Sequence, residues 1–160
     1  MNRLKNKVCI VVGAGQTAGE TVGNGRATSI RFAREGAEVV LVDKDQTSSQ
    51  TTLDIIRAEG YSNVLAINGD VDIEDDCQRV ISEVASAFGR IDVLHYNVGR
   101  SEGDGEVSDL PPSTWDKIMS MNLRGFYLYA KHVLPIMRQE GSGVIQCISS
   151  AAAMTSGRNM

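Results

Sequence analysis

The sequence predicts an α/β domain whose parallel, doubly wound sheet is covered by helices on both faces. Three observations carry this reading. Five short apolar runs alternate with four longer segments of helical period. The runs are near-continuously apolar, as in strands buried on both faces. Glycines punctuate the joints. Strict alternation of strand and helix calls for right-handed crossovers, and so for parallel neighbours.

The first run, Val8-Cys-Ile-Val-Val12, reads as the opening strand, and a helix follows at about Gly25 to Glu35. Further strands are predicted at Glu38 to Val42, Val64 to Ile67, Ile91 to His95 and Gly143 to Ile148, with helices at Gln46 to Glu59, Ile73 to Phe88 and Ser113 to Gln139. Gly36, Gly60 and Gly89 each fall where a helix must end. Asp72-x-x-Asp75 and Ser113-x-x-Asp116 resemble weak capping boxes. On the last helix, Trp115, Ile118, Met119, Phe126, Ala130, Val133 and Met137 recur at three- and four-residue spacing and are expected to form a buried stripe. Asn122 falls inside it, where an unpaired amide would cost roughly 1–3 kcal/mol per group. No linker or repeat divides the chain, so residues 1–160 read as one domain.

Composition narrows the function classes. With 42% hydrophobic and 22% charged residues, the 160-residue chain is neither disordered nor fibrous. Its net charge of −4 provides no basic stripe for a phosphate backbone, so nucleic acid is not an expected partner. The Val8 to Val12 run is too short for a membrane span or a signal core, and a cytoplasmic location is expected. Cys9, Cys77 and Cys147 form no C-x-x-C pair, and no metal site is expected. Cys9 and Cys147 lie in apolar runs, where burial as reduced thiols is predicted.

The chemistry begins after the first strand, at Gly13-Ala-Gly-Gln-Thr-Ala-Gly-Glu-Thr-Val-Gly-Asn-Gly-Arg26. A glycine-rich turn from strand to helix lets the backbone approach a pyrophosphate, and the helix N-terminus offers N–H donors and partial positive charge. Gly13 and Gly15 are assigned to the turn, and Gly23, Asn24 and Gly25 to the helix entry. Methyltransferases that use S-adenosylmethionine share such loops, so the loop alone leaves both readings open. Asp43 sharpens the choice, since it ends the second strand about 20 residues past the glycines, where an acid accepts hydrogen bonds from ribose hydroxyls. A carboxylate about 4 Å from a 2′-phosphate costs from ~1 kcal/mol in water to ~4 kcal/mol at an effective dielectric of 20. NAD is therefore expected over NADP, with Lys44 and the more distant Arg26 as partial offsets.

With these features in place, the sequence resembles the short-chain dehydrogenase/reductase family, whose fold is the Rossmann type. Gly23-Asn-Gly-Arg-Ala27 looks like the family's helix entry, and Gly69-Asp-Val71 resembles its adenine-contacting D-V pair, implying roles for Asp70 and Val71. Tyr96-Asn-Val-Gly99 resembles N-N-A-G, matching at Asn97 and Gly99 and departing at Tyr96. Trp115-x-x-x-x-x-x-Asn122-Leu-x-Gly125 and Ile148-Ser-Ser150 resemble two further motifs, over a likeness running from about Asn6 to Ser150.

The resemblance implies hydride transfer between nicotinamide and a small secondary alcohol or ketone. Ser150 would bind the substrate oxygen, and Asn122 would support a proton relay through its backbone. The family's catalytic Tyr-x-x-x-Lys follows thirteen residues after the serine, beyond Met160. The chain is accordingly expected to hold five strands of seven, apparently truncated at its C-terminus, and a catalytically inactive dinucleotide-binding fragment is the alternative function. Tyr127-x-x-x-Lys131 matches that motif by spacing alone, and reads as a surface pair. A homo-oligomer is implied for the full-length form, and Ser101 to Pro112 is expected to form one pocket wall.

Two departures stand out. Six residues are inserted between the first glycine and the helix entry, and Val12 replaces a threonine whose side chain usually steadies the loop.

Overall fold

The computed structural model describes residues 2–17, 19–151 and 154. Five strands, β1 (Val8–Val12), β2 (Glu38–Asp43), β3 (Val64–Asn68), β4 (Val93–Tyr96) and β5 (Val144–Cys147), form one parallel sheet of order β3-β2-β1-β4-β5. Helices α1 (Asn24–Arg34), α2 (Gln46–Ala58) and α3 (Glu74–Phe88) connect the first four strands, and α4 (Pro112–Met119) and α5 (Gly125–Gln139) precede the last. This is the predicted doubly wound Rossmann fold.

Alternation along the strands builds two cores. Val8, Ile10 and Val12 of β1 join Val40 and Val42 under α3 and α5, while Cys9 and Val11 join Val39 and Leu41 under α1 and α2. Burial pushes the Cys9 and Cys77 thiols up to about 12, so both act as small hydrophobes. Register places Val12 opposite both Val42 and Tyr96. The residues that follow, Gly13, Asp43 and Asn97, thus emerge together at one edge, where β1 pairs on one side with β2 and on the other with β4. That reversal is the switch point at which open α/β sheets bind ligands.

Gly36, Gly60 and Gly89 adopt φ of 87°, 90° and 71°, ending their helices as the sequence predicts. The two expected capping boxes do not form. Ile73 and Pro111 are the N-cap residues, and Asp72 instead accepts a 2.7 Å hydrogen bond from Ser120. Burial on both faces holds for β1 and fails at the sheet edges, where Leu65 and Asn68 of β3 and most of β5 are exposed. Cys147 is exposed for the same reason, since among the described residues no strand lies beyond β5.

The predicted stripe is the largest correction. A π turn, Ser120–Arg124, separates α4 from α5, and its extra residue rotates the inward face. Val133 and Met137 are buried as predicted and Phe126 packs against the core, but the rest of the buried set is Met121, Gly125, Leu128 and Tyr129, while Trp115 is 50% exposed. Tyr96 explains the turn: its hydroxyl donates a 2.6 Å bond to the Met121 carbonyl, and a Cβ at Gly125 would overlap that hydroxyl. The tyrosine that departs from the family pattern is thus matched by a glycine across the core.

At the opposite end of the sheet, buried Asp92 accepts from Lys7 Nζ, the Val8 amide and the Arg90 guanidinium, at 2.6 to 3.0 Å. Burial pushes its carboxyl up, but these bonds outweigh that effect and bring it down to about 2. A depressed carboxyl contributes stability that is present above its unfolded value and lost as pH falls through the folded one. Urea melts should therefore show stability declining as pH drops from roughly 4 toward 2, and Asp92→Asn should be less stable at neutral pH with a shallower decline.

Candidate functional site

The glycine turn leaves β1 by a close approach. The amides of Gly13 and Ala14 both donate to the Val42 carbonyl, at 2.8 and 3.1 Å. Gly13 has φ of 80°, and a Cβ there would stand 3.0 Å from Val98. A Cβ at Gly25 would overlap the Gly13 carbonyl oxygen, so α1 sits directly on the turn. Asn97 Nδ2 donates to that carbonyl at 3.3 Å, tying the end of β4 to the end of β1.

Asp43 holds the next residues. Its Oδ2 accepts from the Gly15 amide at 2.8 Å and its Oδ1 from the Asp45 amide at 3.0 Å. Ser48 Oγ accepts from the Gln16 amide at 2.6 Å and donates to the Gln16 carbonyl at 3.0 Å. Gln16 Oε1 accepts from the Gly23 amide at 3.0 Å, closing the inserted segment onto the helix entry. These bonds hold the loop that follows β1. Gln16, Ser48 and Thr52, whose hydroxyl donates to the Ala14 carbonyl at 3.0 Å, are structural residues of the site that sequence reasoning missed. For Ser48 and Thr52 the signal was the hydroxyl-rich segment Thr47 to Thr52, in which Ser49 and Thr52 face the core; Gln16 carried none.

A cleft of about 1300 Å³ opens above these strand ends. It gathers Gly13, Gly15, Gly23, Asn24, Gly25, Asp43, Val71, Asn97, Gly99, Asn122 and Ser150 from the expected set. Asp70 is not in its lining: the carboxylate accepts from the Asp72 amide at 3.0 Å, folding back on its own loop. Ser101 and Asp104 supply a wall from the segment after β4, as expected. The first turn of α1 carries no acid, so its N-terminal charge faces the cleft without a protein counter-charge there. Arg26 is turned toward α2, donating to Thr52 Oγ1 at 3.0 Å and the Ser48 carbonyl at 3.3 Å.

Asn122 lies in the π turn, half-buried. Its Oδ1 accepts from the Arg100 amide at 2.9 Å, and its Nδ2 donates to the Arg100 carbonyl at 2.7 Å and the Ile118 carbonyl at 2.9 Å. The amide is fully engaged, and it grips the loop after β4 in both directions. Lys131, spaced four residues from Tyr127, pairs with Glu74 at 2.6 Å, and neither Tyr127 nor Lys131 lines this cleft.

A family model described as short chain dehydrogenase matches residues 7–160. The chain belongs to this family. Levodione reductase of Leifsonia aquatica is 31% identical over 144 residues, covering 89% of this chain and 52% of that protein. The crystal structure of a levodione reductase superposes with a TM-score of 0.89 at 30% identity, covering 98% of this chain and 59% of the other. A 7α-hydroxysteroid dehydrogenase complexed with NADH and a 7-oxo bile acid gives 0.88 at 30% identity, over 99% and 58%. A metagenomic short-chain oxidoreductase in complex with NADP gives 0.88 at 28% identity, over 98% and 67%. Short-chain dehydrogenase neighbours thus carry either dinucleotide, and the chain spans about half the length of the curated relatives it matches.

In this member of the family, the serine clamp on Gln16 is the testable support of the loop. Ser48→Ala should cost about 1 kcal/mol and raise hydrogen exchange at the Gln16 amide roughly tenfold, with the core strands unaffected.

Proposed function

We propose that this chain is the dinucleotide-binding part of an NAD-dependent oxidoreductase that moves a hydride between nicotinamide and a secondary alcohol or ketone. The observation that carries the reading is Asp43, fixed by two backbone amides at the end of β2 and lining the cleft that also holds Ser150. An ionised carboxylate has about four acceptor sites, so two bonds to the protein leave two for ribose hydroxyls. Gly13, Gly15, Gly23, Asn24 and Gly25 would line the phosphates, and Val71, Asn97 and Gly99 the adenosine side, with Asp70 supporting that loop from outside the cleft.

The dinucleotide, when bound, supplies the hydride chemistry. The chain's own residues bind and orient. Ile148 donates to the Tyr96 carbonyl at 2.9 Å, extending the β5 pairing so that Ser149 and Ser150 stand at the carboxyl edge of the sheet. There the Ser150 hydroxyl would hold the substrate oxygen. Asn122 acts as a positioning residue by fixing the Arg100 backbone beside the cleft. The family match lends no support to the methyltransferase reading.

For the whole protein the reading includes a small alcohol or carbonyl substrate, a homo-oligomer and a cytoplasmic location. Leu123 in the π turn and Tyr127 on α5, both exposed, support the assembly. No helix among the described residues is long and apolar enough to cross a membrane.

Fluorescence titration of the chain with NADH and NADPH tests the assignment. NADH should bind at least about tenfold more tightly, and Asp43→Asn should shrink that preference by relieving repulsion of the 2′-phosphate. Tighter binding of NADPH by the parent chain would overturn the NAD assignment, and binding of neither would overturn the dinucleotide reading.

A further inference from the structure

The inserted loop poses an electrostatic problem. A glycine loop ordinarily meets phosphates with free backbone N–H groups. Here the amides of Gly13 and Ala14 go to Val42, that of Gly15 to Asp43, that of Gln16 to Ser48 and that of Gly23 to Gln16. Five donors of the loop are already spent within the protein. The N-terminus of α1 remains for the doubly charged pyrophosphate of a dinucleotide, but it carries only about half a unit of positive charge, which leaves room for a full cationic partner.

Two cationic side chains line the cleft, Lys44 and Arg100. Lys44 follows Asp43 at the end of β2, on the ribose side. Arg100 reaches the loop itself, with Nη2 donating to Thr17 Oγ1 at 3.0 Å. That partner is a neutral hydroxyl, and among the described residues Arg100 pairs with no carboxylate. The arginines that do pair with carboxylates, Arg3, Arg31, Arg34, Arg79, Arg90 and Arg124, all sit outside the cleft. The Arg100 backbone, meanwhile, is held through both its N–H and its C=O by Asn122. A guanidinium without a carboxylate partner thus stands on a fixed backbone, beside a loop most of whose amides are already engaged.

We propose that Arg100 is the pyrophosphate-binding residue of this cleft, exchanging the Thr17 hydroxyl for phosphate oxygens when the dinucleotide enters. The planar fork of an arginine matches a phosphate bidentately, and a charge-assisted bond replaces a neutral one. The assignment rests on the dinucleotide reading and deepens it, since it moves part of phosphate recognition from the glycine turn to the loop after β4.

Calorimetric titrations of the parent chain, Arg100→Ala, Arg100→Lys and Thr17→Val with NADH, ADP-ribose and adenosine decide it. Arg100→Ala should weaken NADH and ADP-ribose by at least about tenfold, leave adenosine unchanged and flatten the salt dependence of NADH binding. Arg100→Lys should fall between, and Thr17→Val should bind NADH as tightly as the parent. The proposal is overturned if Arg100→Ala binds NADH like a binding-competent parent, if adenosine weakens in parallel, or if Thr17→Val weakens NADH as much as Arg100→Ala. A parent that binds neither NADH nor ADP-ribose removes the dinucleotide reading and this assignment together.

Discussion

Helix α1 rests on the Gly13 carbonyl with no space for a single methyl group between them, and the rest of the site depends on that contact. Because Gly25 touches the turn directly, the helix N-terminus points into the space above the strand ends. Because the same carbonyl accepts from Asn97, the end of β4 is brought to the same place. Three chain segments, at Gly13, Gly25 and the distant Asn97, meet at one oxygen atom. A larger residue at position 25 would separate the helix from the sheet and dismantle the cleft's floor.

The sheet was legible because its strands are short, apolar and separated by helices that end in glycine. Val8 to Val12 was readable to the residue, and helix ends were misplaced by only a residue or so, since Gly36, Gly60 and Gly89 carry positive φ that other residues rarely adopt. Most of the expected cleft residues were legible for a similar reason: strand register carries Gly13, Asp43 and Asn97 to a common edge whatever their side chains do.

What escaped sequence reasoning depends on tertiary partners. A π turn leaves little local signature, so the pattern reads Val133 and Met137 correctly but misses Met121, Gly125, Leu128 and Tyr129, whose inward turn follows from the fit of Tyr96 to Gly125. The clamp of Ser48 on Gln16 joins residues 32 positions apart through a hydroxyl, a residue type common on any helix surface. Asp70 was placed by motif, but its carboxylate found a backbone amide two residues on, as aspartates in turns commonly do. Edge exposure of Cys147 likewise follows from strand order, which alternation of elements alone does not specify.

The fastening of the inserted loop bears on when its ordering cost is met. A loop that is free in solution must surrender conformational entropy as a ligand arrives, and its affinity is reduced by that amount. Here Gln16 is held at its amide, its carbonyl and its side chain, so folding has already absorbed much of that loss. The Arg100 backbone is likewise anchored, at its N–H and its C=O, by Asn122. The insertion is thus fastened at Gln16 and at Gly23 by the fold itself, before any ligand arrives.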